Sequence, residues 1–375
     1  MSGAGRQAHD ARAQAGQPHD ARAQAGQAHD ARAQAGQAHD ARAQALRVAL
    51  VAAFARSDRL FSLLVDGALF DRPIGLRHPF VFYVGHLPAF AWNQIGAGVL
   101  GLRSSTPELD ALFERGIDPL SEEDAAEASI SAWPAMKEIV AYRDRIRRWV
   151  LDESFELVAA RQDDVLAQGF RIHHLVLEHE LMHHETLLYM LSEQPAARLD
   201  LRGVPGPVMG AWARRPNVDG PLATQGLGAM SDRIPRLMTG RGPEPVRIPA
   251  GSVTLGVDLE TVPFAWDNEV PATTVHVDAF RVDALPVTVT DWRRFMDGGG
   301  PRPHGWVEEA GALCVRSLGR ATPIDEVGGW PAQVSQSQAA SYAAWAGGRL
   351  PSEAELHRAA YGAPERAARS ALGIH

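Results

Sequence analysis

The chain has 375 residues, 45% hydrophobic and 22% charged, a globular composition with enough length for two cores of ordinary size. The formal charge of -8 is mild and spread along the chain, with no basic stripe to invite nucleic acid. The longest apolar stretches are broken by charge before the ~20 residues that a membrane helix needs. A single cysteine, Cys314, has no internal disulfide partner and reads as a small buried hydrophobe. With no signal-like apolar stretch at the Met1 end, the expected compartment is the cytoplasm.

Residues 7–45 repeat the decapeptide QAHDARAQAG four times with one change, Pro18. The repeat has no apolar residue larger than alanine to seed a core. Residues 1–45 are therefore expected to be a disordered extension, its regularly spaced His9, His19, His29 and His39 carrying no function. From Leu46 the texture changes, and LRVALVAAFARSDRLFSLLVDGALF has apolar residues at helical spacing up to Asp71-Arg72-Pro73. A second helix is expected in PFVFYVGHLPAFAWNQIGAGVL, kinked or restarted at Pro88. A third runs from about Pro134 through MKEIVAYRDRIRRWVLDES, and a fourth from about Asp163 to Ser192. Four amphipathic segments in series predict an antiparallel four-helix bundle over residues 46–199.

Residues 200–245, rich in Gly, Pro and Arg, read as a surface connection. Beyond them the hydrophobic period becomes two. VRIPAGSVTLGV, ATTVHVDAFRVDALPVT and the turn-rich stretch after them read as short strands, and SQSQAASYAAWAGG and SEAELHRAAYG as helices, which makes residues 246–375 a second, α+β domain.

The fourth helix, RIHHLVLEHELMHHETLLYML, sets His179 and His183 one turn apart on one face, with Ile172, Val176, Thr186 and Met190 on that core-facing side. His86 sits on a separate apolar helix, near Phe82, Tyr83 and Phe90, where a bundle brings it across from the pair. These three are the candidate metal ligands. His173, His174 and His184 fall on the outward face and are expected at the surface. Three neutral imidazoles without cysteine or carboxylate suit Fe(II), Zn(II), Ni(II) or Cu(II). Glu180 and Glu185 flank the pair, either orienting a ligand or bound water or facing solvent. His179-Glu180-Leu181-Met182-His183 also matches the H-E-x-x-H pattern of zinc hydrolases, whose glutamate is the general base. The glycine-histidine extension of the metzincins is absent after it, and a zinc- or nickel-dependent thiol transferase on a similar bundle is the stronger rival.

Arg115, in an interhelical loop, and Asn93, past His86, are candidate substrate contacts. Arg72 and Arg77 either meet a substrate carboxylate or serve as caps and surface ion pairs. Trp92 reads as core, and Asp267, Asn268 and Glu269 as a turn or a structural cation site. No residue is assigned a catalytic role.

The order Gly85-His86-Leu87, then His179-Glu180-Leu181-Met182-His183-His184-Glu185, then an α+β domain resembles the sulfoxide synthases of ergothioneine and ovothiol biosynthesis. In the second domain the resemblance is carried by VRIPAGSVTLGV, Trp266-Asp267-Asn268-Glu269, FRVDALPVTVTDW and AAWAGGRLPSEAELHRAA, in the expected order, so that it covers about residues 46–370. It implies a DinB-like four-helix bundle joined to a formylglycine-generating-enzyme-like (sulfatase-modifying-factor) α+β domain, with His86, His179 and His183 holding Fe(II). The implied reaction joins a cysteine-type thiol to the imidazole ring of histidine or its trimethylated betaine, using dioxygen and leaving a sulfoxide. Its partners are small molecules.

Two departures shape the expectation. Met182 stands where ergothioneine-type members commonly have glutamine, which keeps ovothiol-type and selenium-transferring chemistry open. The family's second domain continues beyond RLPSEAE through stretches that supply an active-site tyrosine and basic residues, whereas this sequence stops at His375. The expectation is a truncated second domain that binds metal and turns over poorly, with a metal-dependent thiol transferase and an inactive remnant as alternatives.

Overall fold

The computed structural model describes residues 18–114, 133–161, 163–202 and 245–362, with side chains from residue 36 onward. Arg115 and most of the expected connection, residues 203–244, lie outside the described residues.

The N-terminal half is helical. Its elements are α1 (Pro18–Phe61), α2 (Phe80–Ala91), α3 (Pro107–Glu114), α4 (Met136–Asp152), α5 (Ser154–Ala159) and α6 (Arg171–Ser192). The four long ones make the bundle, α2 packing on α4 and α6, and α1 on α6. Every residue of α2 except Phe90 is buried, as befits a helix that is apolar all round and sits at the centre. Phe80 and Tyr83 of this helix pack in one core with Ile139, Tyr142, Ile172 and Met190, where burying a large apolar side chain is worth about 1.5–3 kcal/mol.

Three local expectations change. The repeat is not a disordered extension from Pro18 on: α1 begins there and runs unbroken into the apolar segment. Alanine, arginine and glutamine are good helix formers, and the apolar turns from Leu46 anchor the helix to α6. Near its junction with those turns, Ala43 is buried and the His39 ring lies 4.4 Å from that of Phe170. Pro88 causes no break, since packing on all sides of α2 offsets the one missing N–H. The irregularity comes later, as a π-helical stretch over Trp92–Val99. Helix α6 starts at Arg171 rather than near Asp163, because Gly169 and Phe170 both adopt left-handed backbone conformations, with φ of 62° and 61°.

The second half is the expected mixture of short strands and helices. Antiparallel pairing joins β1 (Val246–Ile248) to β4 (Phe280–Val282) and β2 (Gly251–Leu255) to β3 (Thr273–Val277). After α7 (Val289–Asp297), β5 (Trp306–Glu309), β6 (Ala312–Ser317) and β7 (Arg320–Pro323) form an antiparallel three-stranded sheet. Helices α8 (Gln336–Trp345) and α9 (Glu353–His357) follow. Val289, Trp292, Phe295, Trp306 and Ile324 form its small core. Capping boxes at Ser335/Gln338 and Ser352/Glu355 start α8 and α9 where the sequence places them, whereas α7, started by the box at Thr288/Asp291, lies in a stretch expected to hold only short strands. Cys314 is buried, as expected.

The two halves touch through Arg171, whose Nη2 donates to the Leu259 carbonyl at 3.2 Å, and through His304 and Glu193 at 3.3 Å. Among the described residues, no helix is long and apolar enough to cross a membrane.

Candidate metal centre

Helix α2 delivers His86, and α6 delivers His179 and His183, to one point in the bundle. One ring nitrogen from each lies within 4.8 Å of the others. The Nε2 atoms of His179 and His183 are 3.1 Å apart. Two neighbouring ligands each about 2.1 Å from one ion stand about 3 Å apart, so this separation suits a shared metal.

The surroundings fix both the orientation and the charge of the three rings. The Nδ1 of His86 lies 2.8 Å from the Phe113 carbonyl, to which it donates as an N–H, leaving Nε2 as the lone-pair donor. Phe82 stacks on His86, and Phe90 lies parallel to His179 with centroids 3.6 Å apart. Burial in this apolar setting lowers the pKa of all three imidazoles. It takes His179 to about 2, with His183 and His86 contributing, and His183 to about 3, with His86 and Arg77 contributing. Neutral rings are the form that ligates metal, so no proton has to be displaced near pH 7. The donor set and its second layer fit a metal ion.

The three rings face a pocket of about 980 Å³. Its wall includes Asn93, Met182, Glu185 and Tyr189 from the bundle and, from the second half of the chain, Trp266, Asp267 and Asn268. Asn93, the candidate substrate contact, is thus brought to the same pocket as the three histidines. Asp267–Glu269 form a single 3₁₀ turn, as one of the two expected readings has it, with the Glu269 carboxylate accepting from the Trp266 N–H at 2.8 Å, and that turn sets Trp266, Asp267 and Asn268 against the pocket, an approach that their sequence separation from the histidines hides. Of the two arginines before α2, Arg77 lines the pocket, whereas Arg72 donates from Nε to the Arg77 carbonyl at 2.5 Å. Trp92 lies half-buried against Trp149, their ring centroids 4.9 Å apart.

The other face of α6 departs from expectation. His173 and His184 are buried rather than on the surface, because α1 and α5 cover that side. The Nε2 of His173 is 2.8 Å from Ser154 Oγ and its ring stacks on Phe155. Glu180 is buried there too. It accepts a hydrogen bond from Ser57 Oγ, which also contacts His184 Nε2 at 2.8 Å, and it lies 3.5 Å from Arg147. A carboxylate held against α1 and α4 is turned away from the pocket, so Glu180 is not placed as the general base of a zinc hydrolase.

The fold thus defines a protein in which a helical bundle with a three-histidine cluster is joined to a small α+β domain. Residues 49–187 match the DinB superfamily, and residues 231–370 match the sulfatase-modifying factor enzyme 1-like domain. The chain is 33% identical over 279 residues to "Hercynine oxygenase" of Mycolicibacterium smegmatis, covering 70% of this chain and 56% of that protein. It is 25% identical over 337 residues to "Ergothioneine biosynthesis protein 1" of Neurospora crassa, covering 77% and 35%, and 27% identical over 330 residues to the protein of that name in Schizosaccharomyces pombe, covering 79% and 39%. In its two domains and in these similarities the chain resembles the ergothioneine-biosynthesis proteins, and it spans between about a third and just over half of these relatives' lengths.

Proposed function

We propose that this chain is a non-haem iron, oxygen-dependent sulfoxide synthase that joins a cysteine-type thiol to the imidazole of histidine or its betaine, with His86, His179 and His183 holding Fe(II). The observation that carries the reading is the convergence of three neutral, buried imidazoles on one side of a pocket roofed by the second domain. An Fe(II) held there would supply oxygen chemistry and, with three protein ligands, open positions for the reactants.

The chain's own residues do the rest. The Phe113 carbonyl holds the His86 ring in the tautomer that presents Nε2. Phe90, stacked on His179, keeps that ring from turning and shields it from water. Tyr83, whose ring centroid is 5.3 Å from that of His183, has its hydroxyl pushed up to about 12 by burial and stays protonated at neutral pH. Trp266 and Asn268 shape the far wall against which a small imidazole substrate rests. Met182 lines the pocket where ergothioneine-type relatives commonly carry glutamine, so α6 offers no amide at that position, and ovothiol- or selenoneine-type acceptors belong in the substrate panel.

The test is metal analysis after anaerobic loading with Fe(II), on the parent and on His86→Ala and His179→Ala, followed by oxygen uptake with histidine, its betaine and a panel of thiols. One iron per chain, lost in both variants, with thiol-dependent oxygen uptake in the parent is expected. Iron retained by both variants, or none bound by the parent, overturns the site.

A further inference from the structure

The wall of the histidine pocket carries a second recognition element. Among the described residues lining it, Arg77 is the sole arginine or lysine, in company with Glu114, Glu185 and Asp267. Arg77 stands close enough to the cluster to lower the pKa of His183 electrostatically, after burial and His86. Its guanidinium lies over the Tyr189 ring, 5.4 Å from the centroid. Tyr189 lines the same pocket, and its hydroxyl is buried with no hydrogen-bond partner. A buried hydroxyl left without a partner costs free energy unless a ligand supplies one.

We propose that Arg77 and Tyr189 form an α-carboxylate subsite, which fixes a bound amino acid while its heteroatom end reaches the three histidines. A guanidinium recognises a carboxylate in bidentate fashion, and the Tyr189 O–H supplies one further donor to the same group. The arrangement has the polarity of an amino acid. The anionic end meets Arg77, and the cationic nitrogen meets the acidic and aromatic remainder of the wall, where Glu185, Asp267 and Trp266 stand. The inference rests on the sulfoxide synthase reading for the identity of the amino acid, which is either the imidazole acceptor or the thiol donor. Arg77 and Tyr189 are positioning residues, since they act on a group remote from the bond that forms.

The experiment is calorimetric titration of the anaerobically Fe(II)-loaded protein, the parent against Arg77→Ala, Arg77→Lys and Tyr189→Phe. Imidazole-4-propionate is compared with 4-propylimidazole, and cysteine with cysteamine. Iron content and melting temperature serve as controls for folding. The expected result is that the parent prefers the carboxylated member of at least one pair by about 10- to 100-fold, the size of a charge-assisted hydrogen bond. Arg77→Ala erases that preference without weakening the uncharged member. Arg77→Lys restores part of it, and Tyr189→Phe loses less than Arg77→Ala. The pair that responds identifies which reactant the subsite holds. Equal weakening of both members of each pair, or a preference that survives Arg77→Ala, overturns the subsite. Imidazole-4-propionate is not a substrate of the proposed reaction. A preference for it that depends on Arg77, in a protein showing no thiol-dependent oxygen uptake, upholds the subsite and refutes the sulfoxide synthase reading.

Discussion

Gly85 precedes the ligand His86, and a Cβ built on it would come within 2.5 Å of three ring carbons of Phe113. Phe113 is fully buried, with Trp133 and Tyr142 close beside its ring. It has nowhere to retreat, and its own carbonyl orients His86 Nδ1. In an exposed helix, Gly→Ala is worth about 1 kcal/mol of stabilisation. Here overpacking at the upper end of its usual range, about 3 kcal/mol, outweighs that gain and leaves Gly85→Ala destabilised by about 2 kcal/mol. For a domain of this size the melting temperature falls by about 4–8 °C. Displacing Phe113 also loosens its hydrogen bond to His86, and losing such an outer partner lowers metal affinity about 10- to 100-fold. Thermal unfolding followed by circular dichroism and titration with Fe(II) measure the two effects. A Gly85→Ala protein that melts at or above the parent temperature, with parent metal affinity, refutes the argument that Phe113 rigidly couples Gly85 to the ligand.

Removing the Ser57 hydroxyl takes a hydrogen bond from the buried Glu180 and a contact from His184, so Ser57→Ala is expected to cost about 1–3 kcal/mol in urea unfolding. Glu180→Gln is expected to keep full metal stoichiometry, because its side chain faces α1; loss of metal would show that it reaches the cluster. Burial takes His173 down to about 3, against an ordinary value of 6.5. A lowered folded-state pKa means that stability is present above about 6.5 and is lost as pH falls from there toward 3, by up to about 1.4 kcal/mol per pH unit for this one group. His179 and His183 act in the same direction in the metal-free chain. Urea denaturation at pH 7, 6 and 5 should show the loss, and His173→Gln should flatten it by one group; parallel curves for parent and variant would refute the assignment to His173.

The sequence by itself determined which residues share a helical face. The four-residue spacing of His179 and His183, among Ile172, Val176 and Met190, is a local property of one helix, and it survives in the structure unchanged. The helices expected at SQSQAASYAAWAGG and SEAELHRAAYG also form, each started by a serine, Ser335 or Ser352, whose capping hydrogen bonds close within a single turn. The two-domain class was legible for the same reason, since a change of hydrophobic period needs no knowledge of distant contacts. What the period does not reveal is how many faces of a helix are covered. Helix α6 meets α2 on its histidine side and α1 on the opposite side, so His173, Glu180 and His184 are buried although they lie off the expected core stripe. The helical state of the repeat from Pro18 was hidden because the repeat has few apolar side chains of its own and continues a helix that the turns from Leu46 anchor on α6. Only the tertiary structure brings His86 to the pair and sets Arg77, Tyr189 and Trp266 around one pocket, because those approaches depend on the crossing of helices and on packing between distant segments of the chain.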